Sequence, residues 1–464
     1  MSNSLVKSSF LQIIKGKKAS LVYHSLFGYP QILNNDALSL LDVFSTKKEV
    51  SETELQNEFD DPLAQIELLK NCFFLVPSDF NEREFLKNVV LSKYAAMIDN
   101  GSLLEYLSLI VAEICNFKCA YCIADSMITI SEREKSPNKL MSFEIAKLAV
   151  DTFMSILKSH GKKIAYVNFG GGEPLLNWKV VEKVLAYCIQ QYGKQFQFEF
   201  TINSNISLLT FDIAKKFKTY GVKIATSLDG TKVANNAVRV TKSGKGTFQS
   251  ILRAIDVLEK IDYTLGGFST TITEQNFHLI NEGLIDFAAQ RGFNNLSVDL
   301  DVIHMLKIPV EKTAKKLLHI KRAAYKAGIL VTGFWERAAE NLNNSILDKF
   351  IAFCGGVSGR SMCVSPQGEI YICGYSVESI AHLTTGINGI ITSPIYKRII
   401  TNRLAGETQR CRGCPLEGMC IGACHITEEF NTLADNAALD YNCRLYQIMT
   451  RELLKDSLQE AIAS

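Results

Sequence analysis

The chain has 464 residues, 47% of them hydrophobic and 21% charged, with 50 Lys+Arg against 48 Asp+Glu for a net charge of +2. That length supports two or three domains with sizeable cores, and the even charge balance excludes both a global basic field for nucleic acid and an acidic tail. No apolar stretch approaches the ~20 residues that cross a bilayer, and the short run Phe10–Ile14 lacks a cleavage pattern, so a cytoplasmic protein with no membrane or nucleic-acid partner is expected.

Residues 1–95 form the first expected unit. "ASLVYHSLFGYPQILN" reads as two strands turned at Gly28–Pro30, with aromatic and β-branched residues between turn signals. "NNDALSLLDVF" has helical apolar spacing, and "SETE" at 51–54 is a capping box opening a second helix. "DPLAQIELLK" is a third helix and "CFFLVP" a closing strand. Together they predict a winged-helix-like module.

Residues 105–315 alternate strand and helix. The expected strands are Tyr106–Glu113, Ile164–Phe169, Phe196–Ile202, Lys223–Ser227, Phe268–Thr273 and Leu296–Val302. Amphipathic helices such as "SFEIAKLAVDTFMSILKSH" lie between them. The predicted fold class is α/β with a parallel sheet, either a curved partial barrel or a doubly wound sheet. Chemistry in such sheets gathers at the C-terminal ends of the strands.

Residues 345–464 are cysteine-rich, with a hairpin-like stretch, "MCVSPQGEIYIC", and a terminal helix. Of the thirteen cysteines in the chain, only Cys72 and Cys188 stand apart, in apolar settings that read as core packing. The other cysteines cluster, and clustered thiols in a reducing compartment point to metal or redox chemistry rather than disulfides.

The loop after the first strand carries Cys115, Cys119 and Cys122. Three thiolates on one tight loop suit three irons of a cubane cluster and leave the fourth iron open, whereas structural zinc wants four closed ligands. His160 and His304 are the available fourth ligands in principle, with no spacing to recommend them. The second strand runs into Gly170, Gly171, Gly172, Glu173 and Pro174, where glycines admit close backbone approach. Asp299 and Asp301 share a face of the sixth strand.

CxxxCxxC with an aromatic, Tyr121, before its last cysteine resembles the signature of radical S-adenosylmethionine enzymes, and "GGGEP" resembles that family's GGEP motif. The resemblance implies a partial (β/α)6 TIM-like barrel, one [4Fe–4S] cluster on Cys115, Cys119 and Cys122, and S-adenosylmethionine on its open iron. It assigns Tyr121 and Gly170 to Pro174 to the cofactor, with Glu173 facing the methionyl ammonium. Ser204, Asn205 and Ser227 would face the ribose, and Arg239 the methionyl carboxylate.

The pattern Cys354, Gly368, Cys373, then Cys411, Cys414, Cys420, Cys424 and Cys443, is similar to a SPASM domain, with Cys363 as an eighth thiol. By that resemblance one auxiliary [4Fe–4S] cluster takes Cys354, Cys363, Cys373 and Cys424, and a second takes Cys411, Cys414, Cys420 and Cys443. Three clusters in all are expected, with zinc the competing reading of this region. His425, beside Cys424, is expected to pack against a cluster or bond to its sulfur.

SPASM members modify peptides, and the N-terminal module resembles elements that bind leader peptides by strand addition, with "SLVYHSLFGYP" or "CFFLVP" offering the edge. The competing reading of that module is a plain accessory domain. The implied function is maturation of a ribosomally made precursor peptide by crosslink, epimerisation or excision, with a flavodoxin or ferredoxin as electron donor. A sulfatase-type maturase forming formylglycine is the alternative, but Cys373 is followed by Gly374 and Tyr375, not by that branch's Asp. A third reading is a non-enzymatic iron–sulfur or zinc protein. Asp299, Asp301 and Tyr375 are the candidates for a catalytic base.

Overall fold

The computed structural model describes residues 4–46, 52–343, 352–403, 407–434 and 437–463. The N-terminal part opens with β1 (Leu5–Lys7), β2 (Leu11–Lys15), β3 (Ala19–His24) and β4 (Gly28–Asn34). Helices Asn35–Thr46, Glu52–Glu58 and Pro62–Asn71 follow, and then β5 (Leu75–Pro77). The expected capping-box residue Ser51 lies outside the described residues. β2, β3 and β4 form an antiparallel sheet, and β1 pairs with β5.

The β3–β4 reversal falls at Ser25–Phe27, ahead of the expected Gly28–Pro30. His24 pairs with Gly28, where the register shifts, and Gly28 and Tyr29 adopt left-handed φ of 86° and 54°. The glycine therefore marks the irregular start of β4 rather than the tip. The tip is held by buried His24, whose Nδ1 accepts from the Leu26 and Phe27 amides at 3.2 Å. Of the stretches expected to offer an open edge, Ser20–His24 lies mid-sheet, paired on both sides.

The central sheet is built from β6 (Tyr106–Ala112), β8 (Ile164–Gly171), β9 (Gln197–Asn203) and β10 (Lys223–Ala225), all parallel. The short β7 (Phe117–Cys119) and β11 (Arg239–Thr241) stand outside it. β12 (Gly267–Ile272), β13 (Asn295–Leu300) and β14 (Leu330–Thr332) continue in parallel. A bridge between Ser227 and Ser269 joins β10 to β12, so the six expected strands form one continuous wall.

Two strands extend that wall beyond the sequence reading. β14 adds to the β13 edge, and β15 (Ser361–Val364), from the cysteine-rich region, pairs in parallel with β6. β15 then turns through Gly368 (φ 88°) to β16 (Glu369–Tyr371) and β17 (Ala381–His382).

Helices pack on the outside by their apolar stripes. In Phe143–Ser159, Ala146, Ala149, Val150, Phe153 and Leu157 are buried at helical spacing, and Ser142 caps the N-terminus by accepting from the Ile145 amide at 3.2 Å. Cys188 is fully buried on the next helix, and Cys72 is buried in the N-terminal core. No described helix is long and apolar enough to cross a membrane.

The N-terminal part docks on the cysteine-rich region through Glu417–Gly418. The Gly418 amide donates to the Ser25 carbonyl at 2.8 Å, and Arg83 forks onto buried Glu417. A Cβ on Gly418 would stand 2.0 Å from the Leu26 carbonyl oxygen. Gly418→Ala is therefore expected to cost about 1–3 kcal/mol of overpacking, read as a lowered urea midpoint for the N-terminal transition. An unchanged midpoint would show that the joint tolerates the added carbon.

Candidate active site

Beyond β6 the chain gives Cys115, then β7, then Cys122, which caps the helix Ile123–Thr129 by accepting from the Asp125 amide at 3.4 Å. β7 pairs antiparallel with β11, placing Cys119 opposite Arg239, and the Ala120 amide donates to the Val238 carbonyl. Cys115 Sγ accepts from the Phe117 amide at 3.3 Å and from Asn205 Nδ2 at 3.6 Å. Burial pushes the Cys119 thiol up to about 11, against the pull of Arg239, and Cys115 and Cys122 repel its thiolate. Three crowded thiols of this kind suit a polynuclear iron site, which neutralises their charge.

The glycine run fits beneath this loop. A Cβ on Gly171 (φ 121°) would stand 2.1 Å from the Ala112 carbonyl oxygen, and one on Gly172 would stand 2.5 Å from that of Ile114. Gly170 has no such close neighbour. Glu173 is fully buried, and its carboxylate accepts from the Leu175 amide (2.9 Å), the Ser204 hydroxyl (2.7 Å) and the Asn205 amide (2.8 Å). Ser204 and Asn205 thus meet Glu173 and tie the ends of β8 and β9 together. Pro174 opens the short helix that follows.

Arg239 is buried beside Tyr121 and Asp229. Tyr121 donates to Asp229 Oδ2 at 2.5 Å, Arg239 Nη1 donates to the Tyr121 hydroxyl at 2.5 Å, and Asp229 Oδ1 accepts from the Thr271 amide at 2.8 Å. Among the described residues Arg239 Nε is buried without a hydrogen-bond partner, a donor free for a ligand carboxylate. Asp229 is absent from the sequence reading. Its Asp-Gly context signals only a turn, and a wholly buried carboxylate is visible only in the fold.

These groups line one cavity of about 440 Å³, with Cys115, Cys119, Cys122, Tyr121, Gly171, Gly172, Ser204, Asn205, Ser227 and Arg239 on one side. Asp299, Asp301, Tyr375, Leu300, Val302 and Phe334 stand across it. Asp299 accepts from Ser297 Oγ at 2.9 Å and the Phe334 amide at 2.5 Å, and burial raises its pKa. Asp301 caps the Ile303 and His304 amides and pairs with His304 Nδ1 at 2.8 Å. His304 is thereby engaged by Asp301, and His160 faces the Asn100 carbonyl.

The remaining cysteines fall into two neighbourhoods. Cys373 lies within the field of Cys363, Cys354 and Cys424, whereas Cys420 lies within that of Cys443, Cys411 and Cys414. Burial pushes the Cys363 thiol up to about 12 and that of Cys411 up to about 11. Among the described residues no group of three or more His, Cys, Asp or Glu converges on a single ion position. Half-buried Tyr375 lines the cavity and feels both Cys373 and Cys122, so it stands between the three-cysteine loop and the first neighbourhood. His425 pairs with Glu429 at 3.4 Å.

Asp229 holds Tyr121 and Arg239 in place. Asp229→Asn is expected to weaken S-adenosylmethionine binding to reconstituted protein about tenfold, equivalent to about 1.4 kcal/mol, with the circular dichroism unchanged. Equilibrium dialysis checks this, and undiminished binding would reduce Asp229 to a packing role.

Residues 109–283 match the model of the Radical SAM superfamily. The radical SAM cyclopropyl synthase TigE of Paramaledivibacter caminithermalis is 24% identical over 98% of this chain and 96% of its own. Among solved structures, native anSMEcpe with bound AdoMet superposes with a TM-score of 0.61 at 18% identity, covering 77% of this chain and 99% of that one. Streptococcus suis SuiB superposes with a TM-score of 0.51 at 15% identity, and SuiB bound to precursor peptide SuiA with 0.50 at 14%, each covering 91% of this chain and 96% of the other. Residues 109–283 are thus a radical SAM domain, and the chain is an enzyme similar over nearly its full length to a radical SAM synthase.

Proposed function

We propose that this enzyme modifies a ribosomally made precursor peptide, and that the modification is an oxidative bond formation within the peptide. The observation that carries this reading is the single cavity in which the three-cysteine loop and Arg239 face the apolar and acidic wall of Leu300, Val302, Phe334 and Asp299. That wall offers a peptide side chain contact area and the half-buried carboxylate of Asp299. The near full-length likeness to a cyclopropyl synthase favours carbon–carbon bond formation among the possible modifications. The precursor peptide bound to SuiB supports a peptide as substrate.

In this proposal Cys115, Cys119 and Cys122 hold a [4Fe–4S] cluster, and Arg239 with the backbone at Gly170–Glu173 holds S-adenosylmethionine. When bound and reduced by an external donor such as a flavodoxin or ferredoxin, this pair supplies a hydrogen-abstracting 5′-deoxyadenosyl radical. Arg239, with its free Nε, orients the carboxylate end of the cofactor. Tyr375 and Phe334 exclude water from the opposite wall. Asp299 is the carboxylate suited to take a proton, because among the described residues its Oδ2 accepts only one hydrogen bond, from a side-chain hydroxyl. Asp301 is committed to two backbone amides and His304. The eight remaining clustered cysteines would hold two auxiliary [4Fe–4S] clusters in the two neighbourhoods described, which would supply an acceptor for the electron that leaves the substrate. The N-terminal part holds the leader peptide on an outer strand, β2 or β4.

Anaerobic reconstitution with a co-expressed precursor tests this directly. About twelve irons per chain, release of 5′-deoxyadenosine and a peptide lighter by a pair of hydrogens are expected. Conversion of a cysteine or serine to formylglycine, with the precursor untouched, would move the enzyme to the sulfatase-maturing branch.

Asp299→Asn is expected to keep deoxyadenosine release while cutting modified peptide by about 10²-fold or more, the usual worth of a positioned base. Because burial raises the Asp299 pKa, product formation in the native enzyme is expected to fail on acidification at a pH above the ordinary carboxylate range. Equal losses of both products in the variant would assign Asp299 to cofactor binding instead.

A further inference from the structure

Cys420 and Cys424 are four residues apart, yet they belong to different cysteine neighbourhoods. On a continuous helix, residues at that spacing lie on one face and would serve one site. Here the short helix Glu417–Cys420 stops, and the chain passes through three successive left-handed residues, Ile421 (φ 50°), Gly422 (φ 84°) and Ala423 (φ 61°). Two of these carry side chains, and Ile421 is β-branched, the residue class least suited to this conformation. Something outside the turn must hold it.

Arg403 does so. Its side chain is 3% exposed, and its Nη1 donates to the carbonyls of Gly422 (2.6 Å), Ala423 (3.2 Å) and Ile421 (3.4 Å). A Cβ on Gly422 would stand 2.3 Å from that nitrogen, so only glycine admits the guanidinium. Nη2 pairs with Glu428, which also faces Arg410 Nε at 3.5 Å and His425 Nδ1 at 3.9 Å. Arg410 reaches the same Gly422 carbonyl. The network therefore runs from the residue before Cys411 to the residue after Cys424, and Arg403 lies in the field of both thiols.

We propose that Arg403 is a positioning residue shared by the two auxiliary sites. Its planar fork holds the left-handed turn that sends Cys420 to one site and Cys424 to the other, and its permanent charge lies between them. This rests on the two-cluster reading above. A fixed cation beside a cluster favours the more negative, reduced state, so Arg403 holds both auxiliary potentials up.

The test compares wild type, Arg403→Met and Arg403→Lys as anaerobically reconstituted holoenzymes, with iron counted per chain and the couples followed by electron paramagnetic resonance during redox titration. In R403M both auxiliary couples are expected to become about tenfold harder to reduce at fixed potential, which is 59 mV for one electron. The couple of the Cys115–Cys119–Cys122 site is expected to stay unmoved, and R403K to return both auxiliary couples toward wild type. Auxiliary iron lost from R403M but kept in R403K would also support the proposal, because the lysine shares the charge. Unmoved couples in R403M, a shift in one auxiliary couple alone, or R403K behaving as R403M would overturn it. Wild-type protein holding only about four irons would instead remove the auxiliary-cluster reading.

Discussion

The site depends on one short antiparallel pairing, that of β7 with β11, in which Cys119 faces Arg239, 120 positions further along the chain. This pairing brings a guanidinium to the loop that carries three thiols, and the buried bond from Tyr121 to Asp229 fixes the loop from its other side. A carboxylate, a phenol and a guanidinium removed from water together are expensive unless each satisfies the others. Asp229 and Tyr121 are both satisfied, and among the described residues Arg239 Nε is buried without a partner. A buried donor left open in an otherwise complete network is what a carboxylate-bearing cofactor would require.

The second support is steric. Gly171 and Gly172 let the end of β8 pass within contact distance of the backbone at Ala112 and Ile114, where any side chain would collide. Glu173 then spans to Ser204 and Asn205, so that the ends of three neighbouring strands are locked as one surface. Asn205 passes this rigidity to the loop by donating to Cys115 Sγ and to Asn116 Oδ1. The cysteine-rich region joins the same unit rather than hanging from it. β15 pairs with β6, and the buried ion pair of Arg133 with Glu113 reaches the Gly374 carbonyl at 3.2 Å. Tyr375 is thereby fixed between the cavity wall and the first cysteine neighbourhood. Buried ion pairs of this kind specify an arrangement more than they stabilise it.

What the sequence disclosed follows from range. The six parallel strands, the capped helix after Ser142 and the cysteine spacings are local patterns, and they stand where their periodicity put them. The β3–β4 turn was misplaced because Gly28 looks like a tip, whereas the deciding group is His24, a side chain bonding back to its own loop. β15 was read as half of a hairpin, which it is, but its parallel pairing with β6 joins residues 255 apart and leaves no local trace. Asp229 and Arg403 were invisible for the same reason. Each is an ordinary residue in a turn or at a helix end, and its importance comes from partners brought in by the fold. The carboxylate of Glu173 is expected to face a ligand, whereas the structure buries it on three hydrogen-bond donors from the protein, behind the cavity lining of Gly171 and Gly172.

The central claim is that Cys115, Cys119 and Cys122 leave one iron open to S-adenosylmethionine. Electron–nuclear double resonance on oxygen-free reduced enzyme, with S-adenosylmethionine labelled at its amino nitrogen and carboxylate, tests it most directly. Coupling of both labels to one cluster, lost when the three cysteines are replaced by alanine, is the predicted result. A cluster whose signal is untouched by the cofactor, or coupling that survives those replacements, would contradict the account.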